Sequence, residues 1–482
     1  MKGYIERDKR KKILLLGDDL RWPSGVGVMS REIVLGTAHR FNWVQIGGLG
    51  QHPEQGKIAD ISESVNIETG LEDSYVKVIG CTGYGNMPLL RQVMDLEKPD
   101  AIMIFTDPRY WVWLFNSERE IRSKCPLIYL NIWDDLPYPM WNKPYYESCD
   151  GLFAISKQTY NINKQVLGED AEGKVLRYIP HGIGKDYFPL KSSNPEVIQF
   201  KRKLWGNKEN QPEFTLLYNA RNLGRKCVGN TILAWKEFCD RIGPDKAKRC
   251  CLLMHTDVVD PAGTDLYTTY RDLCDPSYVK VRFFSDKLSF KDMNLMYNSS
   301  DGVILVSSNE GWGLSITEAL NTGKMFIATV TGGMQDQMRF EDENGNWIDF
   351  GRTFPSNHTG LYKNHGEWCL PVWPSNRTLC GSPATPYIFD DRASIEDIAV
   401  AIQQLYELGP KERERRGKVG YEWSTKSAGF TAKKMSSRII EGIEAVLENR
   451  KSYSRPSFEM VEVRERPLSR IDYNPVMYEV CD

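Results

Sequence analysis

Short apolar runs alternate with amphipathic, helix-like stretches twice over along this chain, and few architectures satisfy that pattern. The first series is Ile13–Leu16, Trp43–Ile46, Tyr75–Ile79, Ala101–Phe105, Leu127–Ile132, Gly151–Ile155 and Val175–Ile179. The second is Phe214–Tyr218, Cys250–Met254, Val279–Phe283, Val303–Val306 and Met325–Ala328. Strands that are apolar throughout are buried on both faces, so each series predicts a parallel sheet covered by helices, an α/β protein with two Rossmann-like halves. At 482 residues the chain is also too long for one compact core. Residues 1–190 read as the first half, the charge-rich 191–212 as a linker, and 213–429 as the second half. The alternation fails over 335–386, an aromatic-rich insertion, and residues 430–482 read as a closing helix and tail. That helix carries Met435, Ile439, Ile443 and Val446 on one stripe, which predicts that it packs back on the first half.

Composition narrows the class. With 41% hydrophobic and 26% charged residues and a net charge of −2, the chain has no global field to recruit nucleic acid or membrane. The basic runs Lys9–Lys12, Lys201–Lys203 and Arg413–Lys418 read as solvated faces. The first twenty residues place charges on both sides of a short apolar run, unlike a signal peptide, and the eleven cysteines follow no metal-ligand spacing. Both features predict a cytoplasmic protein with reduced thiols.

The most informative chemistry lies in Asn309–Leu320, NEGWGLSITEAL. An apolar strand precedes it and good helix formers follow, so the segment is a strand, a tight loop and a helix N-terminus, where free backbone N–H groups make an anion site. Gly311 and Gly313 bring no Cβ into that loop. Glu318, further into the helix, is placed to present a carboxylate to a ribose diol, as nucleosides are held.

Two further segments share the strand–loop–helix context. Gly25 and Gly27 follow the first strand and open a helix, a context that lets backbone amides meet a diphosphate. At the end of the first strand of the second half, LLYNARNLGRK sets Arg221 and Lys226 five positions apart. A planar fork and a point charge there neutralise a diphosphate as it leaves. Arg225 between them reads as structural.

Glu310 and Glu318 in NEGWGLSITEAL, with Arg221 and Lys226, resemble the E-x7-E and Arg-x4-Lys signatures of retaining GT-B glycosyltransferases, above all glycosyltransferase family 4. LFAISK from Leu152, YIPHGIGKDYFP from Tyr178 and DRASIEDIAVAI from Asp391 extend that likeness over nearly the whole chain, fading in the insertion and after Arg450. The resemblance implies a GT-B fold and a nucleoside diphosphate sugar donor, UDP- or GDP-linked, with no metal and no cofactor. It implies that Arg221 and Lys226 hold the diphosphate, that Gly25 and Gly27 face it across the cleft, and that Glu310 with Gly311, Trp312, Gly313 and Leu314 positions the sugar. His181, in the HG segment, is then structural rather than catalytic.

The chain departs from the family where many relatives carry a histidine near the sugar, since YLNIWDDLPYPMW supplies Asp134 and Asp135. Two readings stand there, an acidic side chain that orients or deprotonates an acceptor hydroxyl and a pair of loop caps. The acceptor is equally open, with a glycan or small hydroxyl compound favoured over a hydroxymethylated base in DNA. The tryptophans at 111, 113, 133 and 141 suit stacking on either but more often serve a core. A nucleotide-sugar epimerase and an inactive sugar-nucleotide sensor are the rival functions on the same architecture.

Overall fold

A computed structural model describes residues 3–450. The first half is an eight-stranded sheet: β1 (Lys11–Asp18), β2 (Phe41–Leu49), β3 (Ile58–Asp60), β4 (Val76–Thr82), β5 (Ala101–Phe105), β6 (Leu127–Asn131), β7 (Gly151–Ala154) and β8 (Val175–Tyr178). Its order is β3-β4-β2-β1-β5-β6-β7-β8, parallel except for the edge strand β3. The second half holds β9 (Phe214–Asn219), β10 (Cys250–His255), β11 (Val281–Phe284), β12 (Gly302–Leu305), β13 (Phe326–Thr329) and β14 (Cys369–Val372), in the order β11-β10-β9-β12-β13-β14. A separate antiparallel hairpin, β15 (Asn376–Ser382) and β16 (Thr385–Arg392), follows.

In both sheets the strand order reverses at the first strand. β1 lies between β2 and β5, and β9 lies between β10 and β12. Ligands of open α/β sheets bind outside the carboxyl ends of the strands at such switch points. The segments after β1, β9 and β12 all line one cavity between the halves.

The interior divides as the strand pattern predicts. One apolar cluster fills the second half, while the first half has a cluster on each face of its sheet. The helix Ala432–Glu448 belongs to the first half, burying Met435, Ile439, Ile443 and Val446 in the cluster that also holds Ile33 and Val34 of the helix Gly25–Thr37. A Cβ on Gly36 would lie 2.0 Å from Ser436 Oγ, so the two helices approach as closely as a glycine permits.

Two boundaries differ from the sequence reading. Half of the expected linker is the helix Pro195–Trp205, started by an Asn194 side chain that accepts from Glu196 N at 2.9 Å. Its Val197, Phe200 and Leu204 are buried in the core of the second half. The insertion is not irregular either, since it contributes β14 to the sheet of the second half, parallel to β13, and most of the β15–β16 hairpin. Among the described residues no helix is long and apolar enough to cross a membrane. The expected tail beyond residue 450 lies outside the described residues.

Candidate active site

The cavity between the halves measures about 1600 Å3. Ligand sites typically run to about 300–1,000 Å3, so it has room for a sugar nucleotide together with a second molecule. Its donor wall is the loop from β12 to the helix Leu314–Asn321. Gly313 starts that helix at φ 84°, a left-handed conformation suited to glycine, and Leu314 and Ser315 of the first turn line the cavity.

Glu310 forms ion pairs with Lys226 Nζ and, at 3.2 Å, with Arg225 Nη1, and Ser307 Oγ donates to it at 3.3 Å. Burial alone would raise its pKa, but the two cations hold it down to about 2. Desolvation lowers Lys226, with Glu310 opposing. Arg225 Nη1 also donates to the Asn309 carbonyl at 2.7 Å. Arg225 is therefore part of the charged centre, against the structural role read from sequence. Arg221 lines the same cavity but stands apart, paired with Asp260 at 2.8 Å, its side chain 64% exposed.

Glu318 lines the cavity and accepts from Tyr297 Oη and, at 3.3 Å, from Asn219 Nδ2. Burial pushes its carboxyl up to about 7 against those hydrogen bonds and one from Tyr187. Gly311 and Trp312 also reach the cavity. A Cβ on Gly311 would lie 2.9 Å from the Ile132 carbonyl, so this glycine admits the loop of the opposite half rather than a ligand alone. Gly25 lines the cavity and faces Leu314, but Gly27 is not among the lining residues. Gly27 donates its N–H to the Ser24 cap at 2.9 Å, and a Cβ there would strike the Trp22 carbonyl at 2.4 Å. It shapes the turn and does not face the cleft.

On the opposite wall, Asp134 and Asp135 follow β6 and both line the cavity. Asp135 accepts from Asn309 Nδ2 of the donor loop. Burial raises both carboxyls, Asp134 further through Glu310 and Asp135 through Asp134, with Arg225 opposing in each case. His181 also lines the cavity, wedged between Phe105 and Trp312 with Nδ1 unpartnered, and burial drives its pKa down to about 3, leaving a neutral ring. Of the four tryptophans read as stacking candidates, Trp133 lines the cavity and Trp111 is wholly buried.

Sequence reasoning passed over the brace behind the donor loop. Gly333 N donates to the Glu310 carbonyl at 3.0 Å, and a Cβ on Gly332 or Gly333 would lie 2.1 Å from the carbonyl of Glu310 or Gly311. Gln337 Nε2 donates to the Trp312 carbonyl at 2.6 Å. The Gly332–Gly333 pair was the available signal, since adjacent glycines after a strand mark a close backbone approach.

Residues 279–353 match the family model described as glycosyl transferases group 1, a span that contains the whole donor loop. No curated protein sequence matches the chain. Among solved structures, a glycosyltransferase from Rickettsia africae ESF-5 is similar at 16% identity and a TM-score of 0.59, covering 92% of this chain and 100% of that one. Anabaena HepE in complex with UDP and glucose is similar at 15% and 0.61, covering 90% and 100%. Sucrose-phosphate synthase from Thermosynechococcus elongatus is similar at 15% and 0.62, covering 91% and 100%. The architecture is thus the GT-B fold, and its residues 279–353 resemble glycosyl transferases group 1.

Proposed function

We propose that the chain is a retaining, metal-independent hexosyl- or pentosyltransferase that moves a sugar from a UDP- or GDP-linked donor to an acceptor hydroxyl. The observation that carries this reading is the buried Glu310–Lys226–Arg225 cluster, set on one cavity with Glu318 and a helix N-terminus. That Anabaena HepE holds UDP and glucose on the same fold supports a nucleoside diphosphate hexose.

In this reading Glu318 takes the ribose hydroxyls. Amides of the first turn meet the diphosphate, and Lys226 with Arg225 supplies positive charge as it leaves. Arg221, exposed on Asp260, swings in to join them. Glu310 holds the cations in place and orients the sugar. The departing phosphate oxygen takes the acceptor's proton on the same face as the new bond forms, so configuration is retained. Asp134 orients the incoming hydroxyl. Every described cysteine is free, which supports a cytoplasmic setting.

Titration with UDP-glucose and GDP-mannose by calorimetry, followed by mass spectrometry with an acceptor mixture, tests the proposal. Binding and an acceptor increased by one sugar support it. An isomerised donor without acceptor indicates an epimerase, and binding without any turnover indicates a sensor.

A further inference from the structure

The β15–β16 hairpin grows from the donor half yet docks on the first half. On its own side Asp391 N donates to the Ser308 carbonyl at 3.2 Å, and Asn309 Nδ2 donates to the Phe389 carbonyl at 2.6 Å. Across the cleft Phe389 N donates to the Leu136 carbonyl at 2.6 Å, Tyr387 Oη donates to the Tyr138 carbonyl at 3.2 Å, and the Tyr387 ring meets Trp141 edge-on at 4.3 Å. Arg109 after β5 donates to Thr385 Oγ1. The hairpin therefore bridges the loop that carries Asp134 and Asp135, and its tip residues Cys380, Gly381, Ser382 and Thr385 line the cavity.

Most cations on this side are paired within the protein, the exception among the described cavity-lining residues being Lys287, over the Trp22 ring at 5.6 Å. Arg109 holds Asp107 at 2.6 Å, Arg21 holds Asp19 at 2.7 Å, and Arg31 is paired with Glu32 and Glu68. The hairpin tip adds no charge, and Asp134 and Asp135 on the cavity wall offer an anion no positive partner. The N-terminal basic run is likewise occupied, with Arg10 on Asp73, Lys11 on Asp100 and Lys12 on Glu97. Among the described residues no free cationic track leads into the cleft from that run, whereas nucleic-acid binding is dominated by cations on phosphates.

We infer that the β15–β16 hairpin is the outer wall of the acceptor pocket and that this pocket selects an uncharged polyhydroxyl acceptor over a phosphorylated sugar or nucleic acid. The inference rests on the transferase reading and deepens it. The hairpin closes the acceptor side into a pocket, where the Asp134 and Asp135 carboxyl groups can hydrogen-bond hydroxyl groups but offer no positive charge to a phosphate.

The test uses the full chain with UDP-glucose or GDP-mannose, whichever binds, and three acceptor sets: neutral oligosaccharides and glycosides, the matching sugar phosphates, and hydroxymethylated duplex DNA. Transfer to neutral acceptors is expected. Ser382→Arg and Cys380→Arg should each raise the acceptor KM about tenfold or more, with the donor KM within about twofold, because only the acceptor meets the hairpin. Maleimide labelling of Cys380 in the unmutated chain should be slowed by a neutral acceptor and not by nucleoside diphosphate alone. Preference for sugar phosphates or DNA, or an unchanged acceptor KM in both variants, overturns the inference while leaving the transferase reading intact. Absence of donor binding and donor breakdown in the unmutated chain overturns both.

Discussion

Glu310 and Lys226 form a buried ion pair that links the E-x7-E loop to the loop after β9, with each side chain only 11% exposed. Each charge is tolerable there because the other is present, and removing one partner of such a pair leaves an uncompensated charge. Glu310→Gln should therefore leave the affinity for free nucleoside diphosphate unchanged or tighter, since Lys226 and Arg225 are freed for phosphate, while transfer falls. Lys226→Ala should lower turnover by about 10²- to 10³-fold with a smaller effect on donor binding, because its charge matters most as the diphosphate departs. Calorimetry and steady-state kinetics on both variants decide it. A Glu310→Gln loss of diphosphate binding as large as that of Lys226→Ala contradicts these roles.

Asp134 and Asp135 should behave differently on replacement by Asn. An extended strand would point neighbours to opposite sides, but this stretch is a loop and both reach the cavity. Their partners distinguish them, since Asp135 ties the loop to Asn309 whereas Asp134 faces the Arg225–Glu310 charges. Asp134→Asn should cost transfer about tenfold or more at unchanged melting temperature, and Asp135→Asn should lower the melting temperature with a smaller effect on transfer. Equal, small losses at both positions favour the loop-capping reading.

The core strands were legible because burial on both faces leaves continuous apolar text, as in Ile13–Leu16 and Ala101–Phe105. What escaped was structure without that signature. β15 is almost wholly exposed and β14 contains Pro371, so neither reads as a strand from hydrophobicity. The helix Pro195–Trp205 hides three buried residues among charges. At the site, Glu310, Glu318 and Lys226 were visible from spacing, whereas Arg225 was not, because it falls outside the Arg-x4-Lys spacing and only the fold brings it to Glu310. Gly27 was misread because a glycine that avoids a carbonyl clash looks the same in sequence as one that admits a ligand.

Asp336 should make the interface between the halves sensitive to pH. Its Oδ2 accepts from Tyr178 Oη at 2.8 Å and from Lys157 N at 2.9 Å, both in the first half, and burial pushes its carboxyl up to about 7. A raised folded pKa means that the stabilisation is complete below the unfolded value near 4 and is lost as pH rises through 7. Asp336→Asn keeps an acceptor without the charge. Its melting temperature, relative to the unmutated chain, should rise between pH 6 and pH 8. A constant difference across that range would show that Asp336 does not titrate there.

Glu318 gives the sharpest ligand-linked test. Its folded pKa near 7 lies above the unfolded range, so its contribution to stability is also present at low pH and lost through 7. Ribose binding has the opposite requirement, because the charge-assisted hydrogen bonds need the carboxylate. Donor affinity should therefore gain a component that grows from pH 6 to pH 8. Glu318→Gln removes that component and costs about 1.5 to 3 kcal/mol of binding at the upper end. The nucleoside diphosphate titrates in the same range, so the quantity to read is the difference between the unmutated chain and the variant, measured by calorimetry at each pH. A difference that stays flat means that the carboxylate enters the complex ionised at every pH tested, and one near zero removes Glu318 from the ribose.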